Sequence, residues 1–296
     1  MKLVKLHFQG GLRAGAPGWG LEEEDDLLRA DVLYSGLTLA MLDLYGRVLP
    51  EMRLSSAFPF VDNRYFLPRP MLPFPSAAGA EISSAERKAL RRMKFVEHRY
   101  FLAWVQGEVL DLERVMEGAD CLTGALRSVL RPRVALDRER RDSALYFVAE
   151  RRFSQDSGLY CLVECPEESW PEVAAAFRML GEVGVGGERA LGLGCFVPEF
   201  LPAFQLPPAR QGGRCVTLAP LIPRPGEEAH LERYRLMPRG GWVHAVGASV
   251  RKKKVHVVAE GSILRCPVQG MLADVAPAGW PHPVWRYGLG FFVGVR

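Results

Sequence analysis

The sequence predicts a mixed α+β chain: residues 1–205 carry helices between strands, and residues 206–296 are strand-rich and irregular. Three observations predict it. Strand-like alternation at the start gives way to apolar residues at helical spacing after residue 31. Two Ser-x-x-Glu boxes, Ser83 to Glu86 and Ser169 to Glu172, announce further helices. Beyond Pro207-Pro208, short apolar runs recur between glycines and prolines with few helical periods.

Lys2 to Phe8 reads as a strand with Val4, Leu6 and Phe8 on one face and Lys5 with His7 on the other. Val32 to Tyr45 reads as a helix with Leu33, Leu37, Met41 and Leu44 on one side, Asp31 at its start and Gly46 ending it. Pro68 to Pro75 is an extended connection. The Ser83 box opens a basic helix expected to reach about Val105. Leu145 to Arg151 and Leu159 to Cys165 are strand-like, and Ser154 to Gly158 would join them as a hairpin. The Ser169 box, with Pro171 in the first turn, opens a helix carrying Val173, Phe177 and Leu180. Later strand-like runs are Cys215 to Leu221, Leu231 to Leu236, Lys254 to Ala259 and Phe291 to Val295. A chain of 296 residues, 48% hydrophobic, can bury a sizeable core, and tight packing between the halves is expected rather than two independent domains.

The most informative segment is Gly184-Val185-Gly186-Gly187-Glu188-Arg189-Ala190-Leu191-Gly192-Leu193-Gly194. Glycine accepts positive φ and lets another backbone approach closely, so two glycine pairs can fold a short excursion back sharply. The segment follows a helix and precedes the strand-like Cys195-Phe196-Val197, the reverse of a dinucleotide-binding fingerprint. Leu193-Gly194 after Gly192 also excludes a Walker A loop. A glycine-rich hairpin with no ligand is the competing reading.

In this position the pattern resembles the glycine-rich loop of the RAMP superfamily of CRISPR-associated RNA-binding proteins. Within it, the chain resembles subunit four of the type III-A (Csm) effector complex. The resemblance rests on Leu6-His7-Phe8, Ala30 to Leu37, Leu54 to Phe60, Tyr65 to Pro70, Arg131 to Arg138, and His282 to Gly288 in that order. Ala30 and Arg69 depart from the family's pattern. The resemblance implies two ferredoxin-like (RRM-like) halves and a non-catalytic subunit that caps the repeat-derived 5′ tag of CRISPR RNA. It also implies two protein partners, the large polymerase-like subunit and the backbone subunits. The glycines Gly184, Gly186, Gly187, Gly192 and Gly194 would offer backbone N–H groups to phosphates, with Arg189 at the tip. Lys5 and His7 would lie on the sheet face beneath, and Arg127, Arg131 and Arg133 would add phosphate contacts.

Charge and chemistry agree with a binder. The net charge is only +4, yet Arg87 to Lys94, Arg127 to Arg141 and Arg251 to Lys254 concentrate positive charge; each cluster also reads as a solvated face. The six histidines show no metal-binding spacing, and no CxxC pair exists, so neither a metal nor a cofactor is expected. Cys161 and Cys165 would stand ~13 Å apart at strand rise, too far for a disulfide. No apolar run approaches the ~18 residues of a membrane span, and the start lacks a signal peptide's pattern, so a cytoplasmic protein is expected. Two alternatives stay open. His7 beside Lys5 could act as a metal-independent RNA-cleaving base, or the basic clusters could meet acidic protein surfaces in a scaffold.

Overall fold

The computed structural model describes residues 1–15, 20–48, 51–77, 82–137, 142–245 and 248–296; the basic stretch at 138–141 lies outside them. In chain order the first half begins β1 (Lys2–Phe8), α1 (Ala30–Tyr45), β2 (Arg53–Leu54), β3 (Phe58–Val61), β4 (Arg64–Pro68) and α2 (Ser84–Arg92). It continues through β5 (Phe95–Glu97), α3 (His98–Gln106), α4 (Leu112–Ala125), β6 (Leu126–Asp137) and β7 (Asp142–Phe153). It closes with β8 (Ser157–Glu164), α5 (Trp170–Val183) and β9 (Phe196–Pro202). Seven of these strands form one sheet in the order β5-β4-β3-β8-β1-β9, with β2 also paired to β8, and every pairing is antiparallel.

The alternation of β1 does what its pattern requires. Val4 and Leu6 are fully buried on one face, while Lys5 and His7 share the other with their cross-strand neighbours Glu199 and Val197. In α1, Leu33, Leu37 and Met41 are buried, but Leu44 is exposed because the helix runs past the edge of the core. Gly46 takes φ 65° and donates its N–H to the Leu42 carbonyl, ending the helix. Helices α1 and α5 pack closely, and a Cβ on Gly36 would stand 2.8 Å from Leu180 Cδ1.

Three local expectations are overturned. The basic helix stops at Arg92: Met93 is extended (φ −65°, ψ 118°), and β5 pairs with β4 before α3 begins. Burying Val96 completely in the sheet outweighs the helical preference of that segment. Residues 145–151 do not pair with 159–165; they belong to β7, which pairs along its whole length with β6 in a separate two-stranded ribbon. Strand β8 instead enters the main sheet between β3 and β1. At α5, Ser169 sits in a 3₁₀ turn and makes no side-chain cap, although Pro171 opens the helix as expected.

The Ser83 box forms in full: the Glu86 N–H donates to Ser83 Oγ (3.2 Å), and the Ser83 N–H donates to Glu86 Oε2 (2.7 Å). Ser83→Ala is expected to destabilise α2 by about 1 kcal/mol. Hydrogen exchange should show this as faster amide exchange in the first turn, with the global melting temperature unchanged because α2 buries only Leu90.

The second half has β10 (Arg214–Thr217), β11 (Leu231–Arg233), β12 (Leu236–Arg239), β13 (Trp242–Ala245) and β14 (Ala248–Arg251). These are followed by β15 (Val255–Val258), β16 (Ile263–Arg265), β17 (Ala273–Asp274), β18 (Trp285–Arg286) and β19 (Phe292–Val295). Four form an antiparallel sheet in the order β11-β16-β10-β19, and the rest pair as β12-β15, β13-β14 and β17-β18. No α-helix occurs among its described residues. Val216, Leu218, Ile263, Tyr287 and Val293 join Leu54, Phe58 and Tyr160 in one hydrophobic core. The Leu54 N–H donates to the Tyr287 hydroxyl (2.7 Å), so the halves are joined by core packing and by a buried hydrogen bond.

Candidate nucleic-acid interface

The glycine segment forms a compact loop between α5 and β9. Gly184, Gly186, Gly192 and Gly194 all have φ between 78° and 88°. A Cβ at Gly186 would lie 2.4 Å from the Arg13 carbonyl oxygen, and one at Gly194 would lie 2.0 Å from that of Val185. The glycines therefore permit backbone-to-backbone contact inside the chain. The N–H groups of Gly184, Val185, Gly187, Leu191, Gly192 and Gly194 donate to Leu180, Gly194, Arg13, Glu188, Arg189 and Gly11 carbonyls. This corrects the expected phosphate cradle: those amides are already engaged, Gly187 and Gly194 with the 11–13 segment and the other four with α5 and the loop itself. Glu188 adopts φ 59° ahead of a 3₁₀ turn, and that turn leaves Arg189 exposed at the tip.

Beside this loop opens a cleft of about 960 Å³ between the two halves. Its walls are the loop, the start of α1, the Arg13 segment, and the second-half segments around Trp242, Arg251 and Trp285. Eight arginine and lysine side chains line it against two aspartates; Arg13, Arg29, Arg239 and Arg286 are buried and bonded within the protein, and Arg189, Arg251, Lys252 and Lys254 are not buried. Burial pushes the Lys252 pKa down, and the neighbouring Arg286 adds to that. Both aspartates serve structure. Asp25 accepts from Arg29 Nε and Nη2, the latter at 2.8 Å. Asp31, with a fully buried side chain, accepts from Arg239 (2.8 and 3.0 Å) and from Arg286. Arg286 also donates to the Gly240 carbonyl (2.7 Å), which sets the segment leading into β13. Burial raises the Asp31 pKa, but Arg239 and Arg286 outweigh it, and the net shift is downward.

Of the residues singled out from sequence, Gly184, Gly186, Gly187 and Arg189 line this cleft; Gly192 and Gly194 close the loop behind it. Lys5 and His7 do not line it. Lys5 is 7% exposed, with Nζ 4.7 Å from the Phe60 ring centroid, 5.4 Å from that of Tyr65 and 3.9 Å from Glu199 Oε2. His7 Nε2 lies 2.9 Å from the same carboxylate oxygen. Arg127, Arg131 and Arg133 occupy one face of the β6–β7 ribbon, where Arg131 Nε donates to Glu150 Oε1 (2.8 Å). The opposite ribbon face exposes Leu130, Val134, Leu136, Leu145 and Phe147.

Arg13 was invisible to motif reading, yet it joins these parts. Its backbone bridges to Gly187, and its guanidinium donates to the carbonyls of Leu21 (2.8 Å) and Ala149 (3.0 Å) on the ribbon side. Its neighbour Leu12 exchanges backbone hydrogen bonds with Arg151. No local signal marks a lone arginine after a glycine turn. Asp31 was visible as a helix-start residue, but its partners lie more than 200 residues away.

Residues 210–295 match the family model described as the CRISPR Csm4 C-terminal domain. The "CRISPR system Cms protein Csm4" of Thermococcus onnurineus (strain NA1) is 31% identical over 287 residues, covering 92% of each chain. That of Mycobacterium tuberculosis (strain CDC 1551 / Oshkosh) is 28% identical, covering 93% of this chain and 92% of its own. Among solved structures, a Csm1-Csm4 cassette in complex with cA4 superposes with a TM-score of 0.66 at 25% identity, covering 100% of this chain and 97% of that one. A Csm3-Csm4 subcomplex of the type III-A CRISPR-Cas interference complex reaches 0.68 at 15% identity, with full coverage of both, a likeness of fold. By identity sustained along nearly its whole length, the chain belongs to the Csm4 family of CRISPR-associated RAMP proteins.

Proposed function

We propose that this chain is a non-catalytic, CRISPR RNA-binding subunit of a type III-A effector complex. In this reading it caps the repeat-derived 5′ tag and links the large subunit to the backbone subunits. One observation carries the RNA reading: beside a thin glycine wall the inter-half cleft presents four cations that are not buried, Arg189, Arg251, Lys252 and Lys254, while its two aspartates are committed to buried arginines. The solved structures in which similar chains accompany Csm1 and Csm3 support the two protein partners. Arg189 is the phosphate contact at the loop tip, with Gly184, Gly186 and Gly187 keeping the wall free of side chains. Arg127, Arg131 and Arg133 extend the track along the ribbon, while Lys5 and His7 support it from the sheet face. Both halves are ferredoxin-like units meeting near residues 205 and 206. In support, the strand order β3-β8-β1-β9 recurs as β11-β16-β10-β19, with the second strand, third, first and fourth as neighbours in each.

The reading is tested by co-expressing the tagged chain with its large subunit and a CRISPR array, then mapping 5′ ends of the co-purifying RNA. A single repeat-derived end is expected; random ends or no RNA would sink the proposal, and cleavage lost in His7→Ala would replace it with a nuclease. Arg189→Ala is expected to weaken tag-RNA binding and to reduce the salt slope by about 0.7, the single-strand value per phosphate contact. An unchanged slope and affinity would remove Arg189 from the interface.

A further inference from the structure

Two tryptophans stand where a soluble chain has little reason to leave them. Trp242 and Trp285 are 51% and 52% exposed, and both line the cationic cleft. Burying an indole is among the largest stabilisations a side chain can supply, so half-exposed pairs mark surfaces that await a partner. The Trp242 ring is held directly, and Trp285 is placed through its neighbour in the chain. Trp242 begins β13, directly opposite Arg251 on β14, and the Arg251 guanidinium covers one face of the indole at 5.1 Å from its centroid. Trp285 precedes Arg286, whose guanidinium grips Asp31 on one side and the Gly240 carbonyl on the other. Gly240 lies two residues before Trp242, so one buried ion-pair network fixes the backbone beside both tryptophans. The Lys252 N–H donates to the Gly241 carbonyl (3.0 Å), which brings the basic run 251–254 under the same hairpin.

We propose that Trp242 and Trp285 form a base-stacking site for unpaired nucleotides, with the phosphates running past Lys252, Lys254 and Arg189. This rests on the reading that the cleft binds single-stranded RNA and names how it holds the bases. The chemistry separates RNA from a protein occupant. Protein interface cores enrich aromatics and arginine but are depleted in lysine, whereas single-strand sites pair aromatic platforms with a cationic track that includes lysine, as Lys252 and Lys254 do here. Here the indoles share their walls with Arg251, Lys252, Lys254 and Arg189, and Asp25 and Asp31, the cleft's two acids, are committed to buried arginines. Stacking accepts every base, so the site grips nucleotides by their faces and leaves base choice to other groups.

The test compares the full-length chain with Trp242→Ala, Trp285→Ala and the two Trp→Phe variants. Each is titrated with a synthetic single-stranded oligoribonucleotide and with an abasic ribose-phosphate chain of equal length. Each Trp→Ala variant is expected to bind base-bearing RNA about five- to a hundredfold more weakly, with the salt slope unchanged. Phe at either position should restore most of the affinity, which a mere folding defect would not explain. The abasic chain should bind the wild type weakly and the variants equally, and only base-bearing RNA should quench tryptophan fluorescence. Equal affinity of wild type and Ala variants for base-bearing RNA overturns the stacking site while leaving the RNA reading intact. Variants that keep RNA affinity but lose the large subunit make this surface a protein contact and also overturn it. A wild type that binds neither ligand at low salt removes the RNA reading itself.

Discussion

Asp31→Ala is expected to destabilise the chain by about 3–5 kcal/mol, the usual cost of removing one partner from a buried ion pair. Its side chain is fully buried, and it is the shared acceptor for Arg239 from β12 and Arg286 from β18. Without it, two guanidiniums that are 6% and 9% exposed face each other across the cleft floor, and Arg286 Nε already lacks a hydrogen-bond partner among the described residues. The loss should appear as a lower urea midpoint and a lower melting temperature. Asp31→Asn keeps the volume but removes the charge and replaces one of the two accepting oxygens with an NH2 donor. Its melting with the wild type would show that charge is not what holds the halves. The same pair predicts acid sensitivity. The arginines hold the Asp31 pKa below its ordinary 3.8, so its stabilisation is complete above 3.8 and is lost as pH falls through the lower folded value. Wild type should therefore lose stability relative to Asp31→Asn only below pH 3.8.

Gly194→Ala is expected to cost about 2–5 kcal/mol, combining ~1–2 kcal/mol of left-handed strain with ~1–3 kcal/mol of overpacking. Its φ is 81°, and the added Cβ would lie 2.0 Å from the Val185 carbonyl oxygen and 2.8 Å from the Val185 nitrogen. The three nearest atoms it would meet are all backbone atoms of Val185, so no side chain can swing away to relieve them. The loop must open, breaking the hydrogen bonds from Val185 to Gly194 and from Gly194 to Gly11. Gly192→Ala is the matched control: its φ is 78°, but nothing lies within 4 Å of its Cβ position, so only the strain of ~1–2 kcal/mol remains. Equal melting temperatures for the two variants would show that close backbone approach is not why the loop needs glycine.

Much of the candidate site was legible as parts. Arg189 and its glycines stood out because loop chemistry is local: a left-handed φ must be written into the residue that adopts it. The basic run 251–254 was legible as charge, and Trp285 lay inside a recognisable terminal segment. Their convergence was not legible, because nothing in the order of residues says that Arg189 shares a cleft with Lys252. Where local signals competed with burial, burial decided. The basic helix expected from Ser83 to about Val105 lost to the sheet edge that buries Val96, and 145–151 joined a ribbon with 126–137 rather than a hairpin with 159–165.

By itself, then, the sequence determined β1, α1 with its Gly46 stop, the Ser83 cap, the glycine loop after α5 and the strand-rich second half. Each is announced by local periodicity, capping or turn chemistry, even where the strands then pair with distant segments. Only the tertiary structure decided that the Gly187 and Gly194 amides are bonded to the 11–13 segment, that Asp31 locks two distant arginines, and that two tryptophans share one cleft with the loop. Those outcomes depend on hydrogen bonds and ion pairs between residues many tens to hundreds of positions apart. Their energies arise only once the shared core has brought the halves together.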